Sequence, residues 1–495
     1  MKNILIILLL VFVSTSCKDF LEEDLSTIIT SESGALKNES GLTAALAGTY
    51  KPLSKTWGSG LGNASTQAIL MGSDDLTTHK ASNKADFREF DQFKVAQQNG
   101  RLPFVWSGAY KSIQGANNII ANYEGAVGDQ AAINQIAGEA YFLRAYNYFW
   151  IVKLWGKAPL VLESHVFDPA ILEVNSVDEQ ALYTQILADL DAAIGLLSDT
   201  KPQPGRASKG SALAVKAQAY LQMAGWPLKQ TDKYKMAADI AGDLITNQDQ
   251  YGFGLMEDWI DLWPSATVNN DGNKEEVFAL NFFAGQWWNG NAVYGLPARG
   301  GDDNGWDDYF SEITFFENFP DQYRKDITFQ TETTVDRDGV PTVIQWPEFK
   351  TGRPYFQKLQ GPKQDWLNAV SLPLIRMAEV YFIYAEARIV DNGSDDALAL
   401  EALNKIVRRA YGLPLDVAAP SVDYASATQR DVVQEKAWEF AGEYCRWFDL
   451  VRLEMVEEVT ATKNADDLQP LGSIEYYHPL PATETLANPG LDGDG

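Results

Sequence analysis

The residues best suited to chemistry lie in one glycine-punctuated stretch. Trp287-Trp288-Asn289-Gly290-Asn291 is followed closely by Tyr294, Arg299, Asp302, Asp303, Asn304 and Trp306. Flat rings beside short planar polar groups are what a sugar requires, because it presents apolar C–H faces fringed by hydroxyls. A polar surface loop has little reason to hold so many rings unless they pack inward or bind something. The expected ligand contacts are Trp287 or Trp288 as a stacking platform, with Asn289, Asn291, Tyr294, Asp302, Asp303 and Trp306 around it. Asp302, Asp303, Asp307 and Asp308 also offer the hard oxygens that calcium accepts, but their spacing fits no known calcium loop. A solvated acidic loop is the expectation, and no metal.

Elsewhere the side chains of catalysis are sparse. His79, His165 and His478 are scattered without His-Glu-x-x-His spacing, and two cysteines, Cys17 and Cys445, make neither a disulfide framework nor a zinc site. Neither a Gly-x-Ser-x-Gly elbow nor a Gly-x-x-x-x-Gly-Lys-Ser/Thr loop is present, and no Gly-x-Gly-x-x-Gly turn opens a helix after a strand. A pair of carboxylates suffices for glycoside hydrolysis. An all-helical lyase or glycoside hydrolase therefore stays open as the rival class, with a purely structural lid as the third. The reading adopted is a binding protein, not an enzyme, with no cofactor.

Something rigid must carry that loop, and two blocks show helical periodicity. In the first, Ile136, Ala140, Leu143, Asn147, Trp150 and Leu154 recur in fours and threes. Residues 141–155 hold seven aromatics and only two charges, Arg144 and Lys153. A helix apolar nearly all round is a buried one. Helices are predicted over 176–197 and 208–226, the latter with alanines at 212, 214, 217, 219 and 224 that admit a close neighbour, and 234–245 returns antiparallel. In the second block Met377, Val380, Tyr381 and Tyr384 mark one helix and Leu400, Leu403 and Val407 its partner. A last long helix carries Val433, Ala437, Phe440, Tyr444, Trp447 and Val451. Such pairs of about 34 residues look like tetratricopeptide units, which stack into a scaffold presenting loops on one side. Between the blocks, over 249–370, glycine and proline interrupt often, and only 277–283 and 340–346 read as strands. Seven of the 14 tryptophans fall in this insertion, where rings are expected to be more exposed than those on helical stripes. The fold class is mainly α, a tetratricopeptide-like scaffold with an irregular insertion.

The chain opens with Met-Lys-Asn, ten apolar residues from Ile4 to Val13, and Ser14-Thr15-Ser16-Cys17. A basic residue, a short apolar run and small residues mark a secretory signal. As a helix the run covers about 15 Å, half of a bilayer's hydrocarbon core. The cysteine that follows resembles the end of a bacterial lipoprotein signal. That likeness implies removal of residues 1–16 and lipidation of Cys17 with acyl chains such as palmitate. The remainder, 17–495, reads as one domain in three parts: 17–248 helical, 249–370 loop-rich and ligand-binding, and 371–495 helical. With Cys17 lipidated, Cys445 has no intramolecular partner and is expected to be a buried free thiol.

The order of motifs resembles the SusD/RagB family of Bacteroidota surface lipoproteins over nearly the whole mature chain. It runs from Cys17-Lys18-Asp19-Phe20-Leu21-Glu22 through Trp106-Ser107-Gly108-Ala109-Tyr110 and Asn117-Asn118-Ile119-Ile120 to Glu139-Ala140 with Leu143-Arg144-Ala145-Tyr146. Later come Arg376-Met377-Ala378-Glu379-Val380, Tyr384-Ala385-Glu386-Ala387, Arg446-Trp447-Phe448-Asp449-Leu450 and Pro479-Leu480-Pro481. The resemblance implies a non-enzymatic glycan-binding lipoprotein on the cell surface, anchored in the outer membrane. It would sit as a lid on a SusC-like TonB-dependent barrel and deliver oligosaccharide to it. By position, the 72–79 loop joins the binding surface, with Asp74 and His79 as further contacts, while His165 and His478 are structural. Arg376 with Glu379, and Glu443 with Arg446 and Asp449, are expected to fix helix packing. At Gln434-Glu435-Lys436 the family commonly has Glu-Arg, so its ion pairs are either missing here or remade by Lys436.

Charge narrows the partners. With 40 Lys+Arg against 67 Asp+Glu the chain carries −27, which raises the cost of approaching nucleic acid or an anionic membrane face. It also argues against sulfated or uronic-acid glycans.

Overall fold

The computed structural model describes residues 34–54, 59–163, 174–263, 270–282, 290–361, 369–468 and 471–491. The signal segment, Cys17, His165 and the triplet Trp287, Trp288 and Asn289 lie outside the described residues.

Helices dominate. In chain order the principal ones are α1 (Glu39–Tyr50), α2 (Ala85–Asp91), α3 (Leu102–Ile120), α4 (Gln130–Trp155), α5 (Glu179–Leu196), α6 (Lys209–Ala224), α7 (Lys233–Thr246), α8 (Met377–Asn392), α9 (Ala397–Ala410), α10 (Gln429–Glu439) and α11 (Arg446–Arg452). From α3 to α9 each packs on the next. The starts are set by side chains that satisfy free N–H groups. Asp129 accepts from Ala131 at 2.9 Å, Asp178 from Ala181 at 2.8 Å, and Ser208 with Ser211 makes a reciprocal box at α6. As its composition predicts, α4 is buried all round over 141–155, with only Tyr141 and Lys153 partly exposed. Its Arg144 is held by Asp189 at 2.6 and 2.8 Å. Its Lys153 ammonium lies 3.8 Å from the ring centre of Phe448 and 4.3 Å from that of Phe149, and burial pushes it down to about 8. The alanines of α6 are buried and let α5 and α7 approach.

The last stripe is not one helix. α10 ends at Glu439 and α11 begins at Arg446, with Gly442 between them at φ 76°. A Cβ there would stand 3.0 Å from the Phe356 ring, in a backbone conformation that favours glycine. The break frees Gly442 to bind the amino-terminal half: its N–H donates to Asp75 at 2.8 Å and its carbonyl accepts from Gln67 at 2.7 Å. The stripe residues on both sides stay buried.

In the insertion, β1 (Glu276–Leu280) pairs antiparallel with β4 (Leu372–Arg376), and β2 (Glu332–Arg337) with β3 (Val340–Gln345). The β2–β3 turn is Asp338-Gly339, both at positive φ, which suits a two-residue hairpin. The insertion's aromatics correct the expectation of exposure. Trp259, Trp263, Tyr309, Phe310 and Tyr355 are buried. Trp259 and Trp263 roof a charge cluster in which Arg376 reaches Glu275 (2.7 Å), Glu443 (2.9 Å) and Glu439 (3.2 Å). Arg409 joins Glu275 (2.5 Å) and Glu439 (2.8 Å). Arg376 thus fixes packing, but through partners other than Glu379. Glu379 instead meets Lys436 at 3.1 Å, and Lys436 also meets Asp449 at 3.0 Å, so Lys436 remakes ion pairs at the departure from the family pattern. Cys445 is a free, partly buried thiol. Among the described residues no helix is long and apolar enough to cross a membrane.

Candidate functional site

The two loops singled out from sequence are tied together. Leu76-Thr77 pairs with Phe310-Ser311, the Thr78 hydroxyl donates to the Asp308 carbonyl at 2.7 Å, and Lys84 pairs with the Asp308 carboxylate. Within this junction several residues expected to touch ligand serve the loop instead. Asn291 is 1% exposed: its amide donates to the Val370 carbonyl at 2.9 Å and its oxygen accepts from Val293 and Tyr294, each at 2.9 Å. Tyr294 is equally buried, and that burial drives its hydroxyl well above the usual tyrosine range. Both are expected as contacts because planar amides and rings suit sugars; here the Asn291 amide fixes the turn and the Tyr294 ring is buried in the core. Asp74 is spent on Arg446, with two contacts of 2.6 and 2.8 Å. Burial pushes its carboxyl up, but the guanidinium outweighs that and holds it below the usual range. The Nδ1 of His79 accepts from Ala81 at 2.9 Å, which closes the loop on itself.

The acidic run is likewise employed. Asp302 accepts from the Lys350 N–H at 2.7 Å, and Asp307 accepts from Gly301 at 2.6 Å and from the Tyr355 hydroxyl at 2.8 Å. These contacts hold residues 301–307 against 350–355.

Asp303 faces a different neighbour. The short turn Gly301–Asp303 packs on β2, and between them opens a cleft of about 250 Å³ lined by Asp303, Gln330, Glu332, Thr333, Thr334 and Val343. Its walls offer carboxylates, hydroxyls and an amide, with Val343, 60% exposed, as the apolar edge. Gln330 is oriented by Gln360 at 2.7 Å, and Glu332 by Gln345 at 3.2 Å. Such a lining can exchange hydrogen bonds with several hydroxyls at once. Trp306 and Trp346 are half-buried in the same region of the chain. The sequence marks the 340–346 arm of the hairpin as a strand but not its partner over 332–337, although Asp338-Gly339 is the short-range signal that joins them.

The SusD family profile matches residues 263–492, and a profile described as starch-binding associating with outer membrane matches residues 20–221. SusD-like protein P2 of Formosa agariphila is 27% identical, with 99% of this chain and 98% of the relative aligned. The fold resembles that of a SusD homologue from Bacteroides thetaiotaomicron, with a TM-score of 0.80, 18% identity and coverage of 94% and 99%. It also resembles a laminarin-binding SusD-like protein, with a TM-score of 0.73, 24% identity and coverage of 91% and 98%.

Proposed function

The chain belongs to the SusD family, and from that premise we propose that it is a non-enzymatic, cell-surface glycan-binding lipoprotein. It captures oligosaccharide and passes it to a SusC-like TonB-dependent barrel, held to the outer membrane through lipid on Cys17. The observation that carries the reading is the open cleft between the 301–303 turn and the β2–β3 hairpin. Its lining suits hydroxyls, and its Asp303 belongs to the sequence stretch that also holds Trp287 and Trp288. A rigid helical scaffold with binding residues on loops is a common division of labour. In this reading Trp287 or Trp288 is the stacking platform, Trp306 and the adjoining Asn289 and Asp302 border it, and Asp303 with the hairpin side chains binds hydroxyls. The laminarin-binding relative supports a glycan as the ligand.

The test is incubation of purified protein with a panel of neutral polysaccharides, reading both retention and products. Retention without new reducing ends or unsaturated products is the expected result. Product formation would instead make the chain a lyase or hydrolase. Failure to retain any glycan would leave only a structural lid.

A further inference from the structure

A second cavity, of about 290 Å³, shares no residue with the cleft at Asp303. It opens where the tail over residues 473–479 crosses the exit of α2 and the face of α11. Phe90, Phe93, Trp447, Tyr477 and His478 supply its rings, and Glu475 supplies its charge. The rings are held in place by one another. The Trp447 indole stacks on His478 at 6.1 Å with 12° between the planes, Phe90 meets His478 edge-on at 5.3 Å, and Phe93 lies 6.3 Å from the indole. Gly72 makes room for this arrangement, since a Cβ there would stand 2.3 Å from the indole Cζ3. His478 keeps Nε2 at 2.8 Å from the Ile69 carbonyl, and burial pushes the ring down to about 4, so it is neutral at physiological pH.

The size is at the lower end of small-molecule sites, which run from about 300 Å³. The walls decide what fits. Aromatic faces are electron-rich and pack well against C–H groups or positive charge. Glu475 adds a carboxylate, and no lysine or arginine among the described residues lines the cavity to balance an anion. That combination suits a hydroxylated ring with an apolar face and excludes acidic ones. We propose that this cavity is a second sugar subsite, taking one uncharged pyranose ring against the partly exposed rings of Phe93 and Tyr477, with the Trp447 indole in the wall behind them and Glu475 accepting from its hydroxyls. It goes beyond the cleft reading, because neither site needs the other.

The test uses the full chain labelled with fluorinated tryptophan, the Trp447 resonance being identified by its loss in Trp447→Phe. Methyl glucoside, methyl galactoside and methyl mannoside are titrated separately, with methyl glucuronide as the acidic probe. At least one neutral glycoside should move the Trp447 signal saturably, and the glucuronide should not. Glu475 is exposed, so Glu475→Lys should fold normally. It should weaken neutral binding by about tenfold, a loss of about 1.4 kcal/mol, and admit the glucuronide. Gln330→Ala, in the other cleft, should leave the Trp447 response intact. The proposal is overturned if no neutral glycoside moves the signal, if Glu475→Lys changes nothing, or if Gln330→Ala abolishes the response. Calorimetry with long oligosaccharide, compared between the unmodified chain and Gln330→Ala, reports the Asp303 cleft, while the Trp447 signal reports this cavity, so failure of one site is distinguishable from failure of the other.

Discussion

Replacing Arg376 with methionine would remove the guanidinium at the centre of the buried charge cluster while keeping its length and stem. Glu275, Glu439 and Glu443 would each lose a partner that now stands 2.7 to 3.2 Å away. Breaking a buried ion pair from one side costs about 3–5 kcal/mol, because the remaining charge is stranded in a poorly solvating interior. Proton linkage bounds what the arginines around Glu439 supply together. Burial raises the Glu439 carboxyl, but Arg409, Arg376 and Arg324 outweigh it and hold the group at about 2. An unfolded glutamate sits near 4.3, and about two units of difference correspond to about 3 kcal/mol. Since the folded value is the lower one, this stability is present above about pH 4 and is lost as pH falls toward 2. Urea denaturation followed by circular dichroism should therefore show Arg376→Met less stable by several kcal/mol at pH 7. The gap to the unmodified protein should narrow as pH falls from about 4 toward 2. A variant within about 1 kcal/mol of the parent at pH 7, or a gap that does not change on acidification, would refute the argument that charge pairing holds this junction.

Three further outcomes are expected. Trp447→Ala should lose about 3–5 kcal/mol, because the indole is 2% exposed and wedged against Gly72; an unchanged melting temperature would show it does not serve the core. Lys153→Met should raise the melting temperature at pH 7. The folded pKa of about 8 lies below the unfolded value of about 10.4, so the cost of the buried ammonium is full below pH 8 and is relieved as pH rises through that window. A gain that persists undiminished at pH 10 would contradict this. Cys17→Ala should leave the protein in the periplasm or unprocessed, and fractionation that still finds it on the cell surface would remove the lipid anchor from the account.

The helical scaffold was legible because its stripes are long and regular. Asn147, Trp150 and Leu154 on α4, and the alanines of α6, fall on faces that only burial explains. The same regularity misled at α10 and α11: the three-four stripe runs unbroken from Val433 to Val451, while the chain turns at Gly442 to grip Asp75 and Gln67. Periodicity records which residues are buried, not whether the backbone between them stays helical. The insertion was read less well because loop composition says little about burial. Trp259 and Trp263 cover ion pairs whose partners, Glu275, Arg376 and Arg409, are far apart in sequence. Asn291 and Tyr294 have the right chemistry for a sugar, but the Asn291 amide is spent on the turn and the Tyr294 ring on the core. β2 escaped notice because its burial alternates weakly, and with it went half of the residues that line the cleft, Glu332, Thr333 and Thr334.

On the proposed function, the 286–306 loop and the cleft at Asp303 hold the glycan. Calorimetry with the cognate oligosaccharide on Trp287→Ala, Trp288→Ala and Trp306→Ala, each checked for fold by circular dichroism, tests it most directly. Covering one sugar face with an indole is worth about 1–2 kcal/mol at about 25 cal/mol per Å², or roughly tenfold or more in affinity. At least one of the three should lose that much with its fold intact. If all three bind as tightly as the unmodified protein, the glycan does not lie on this loop.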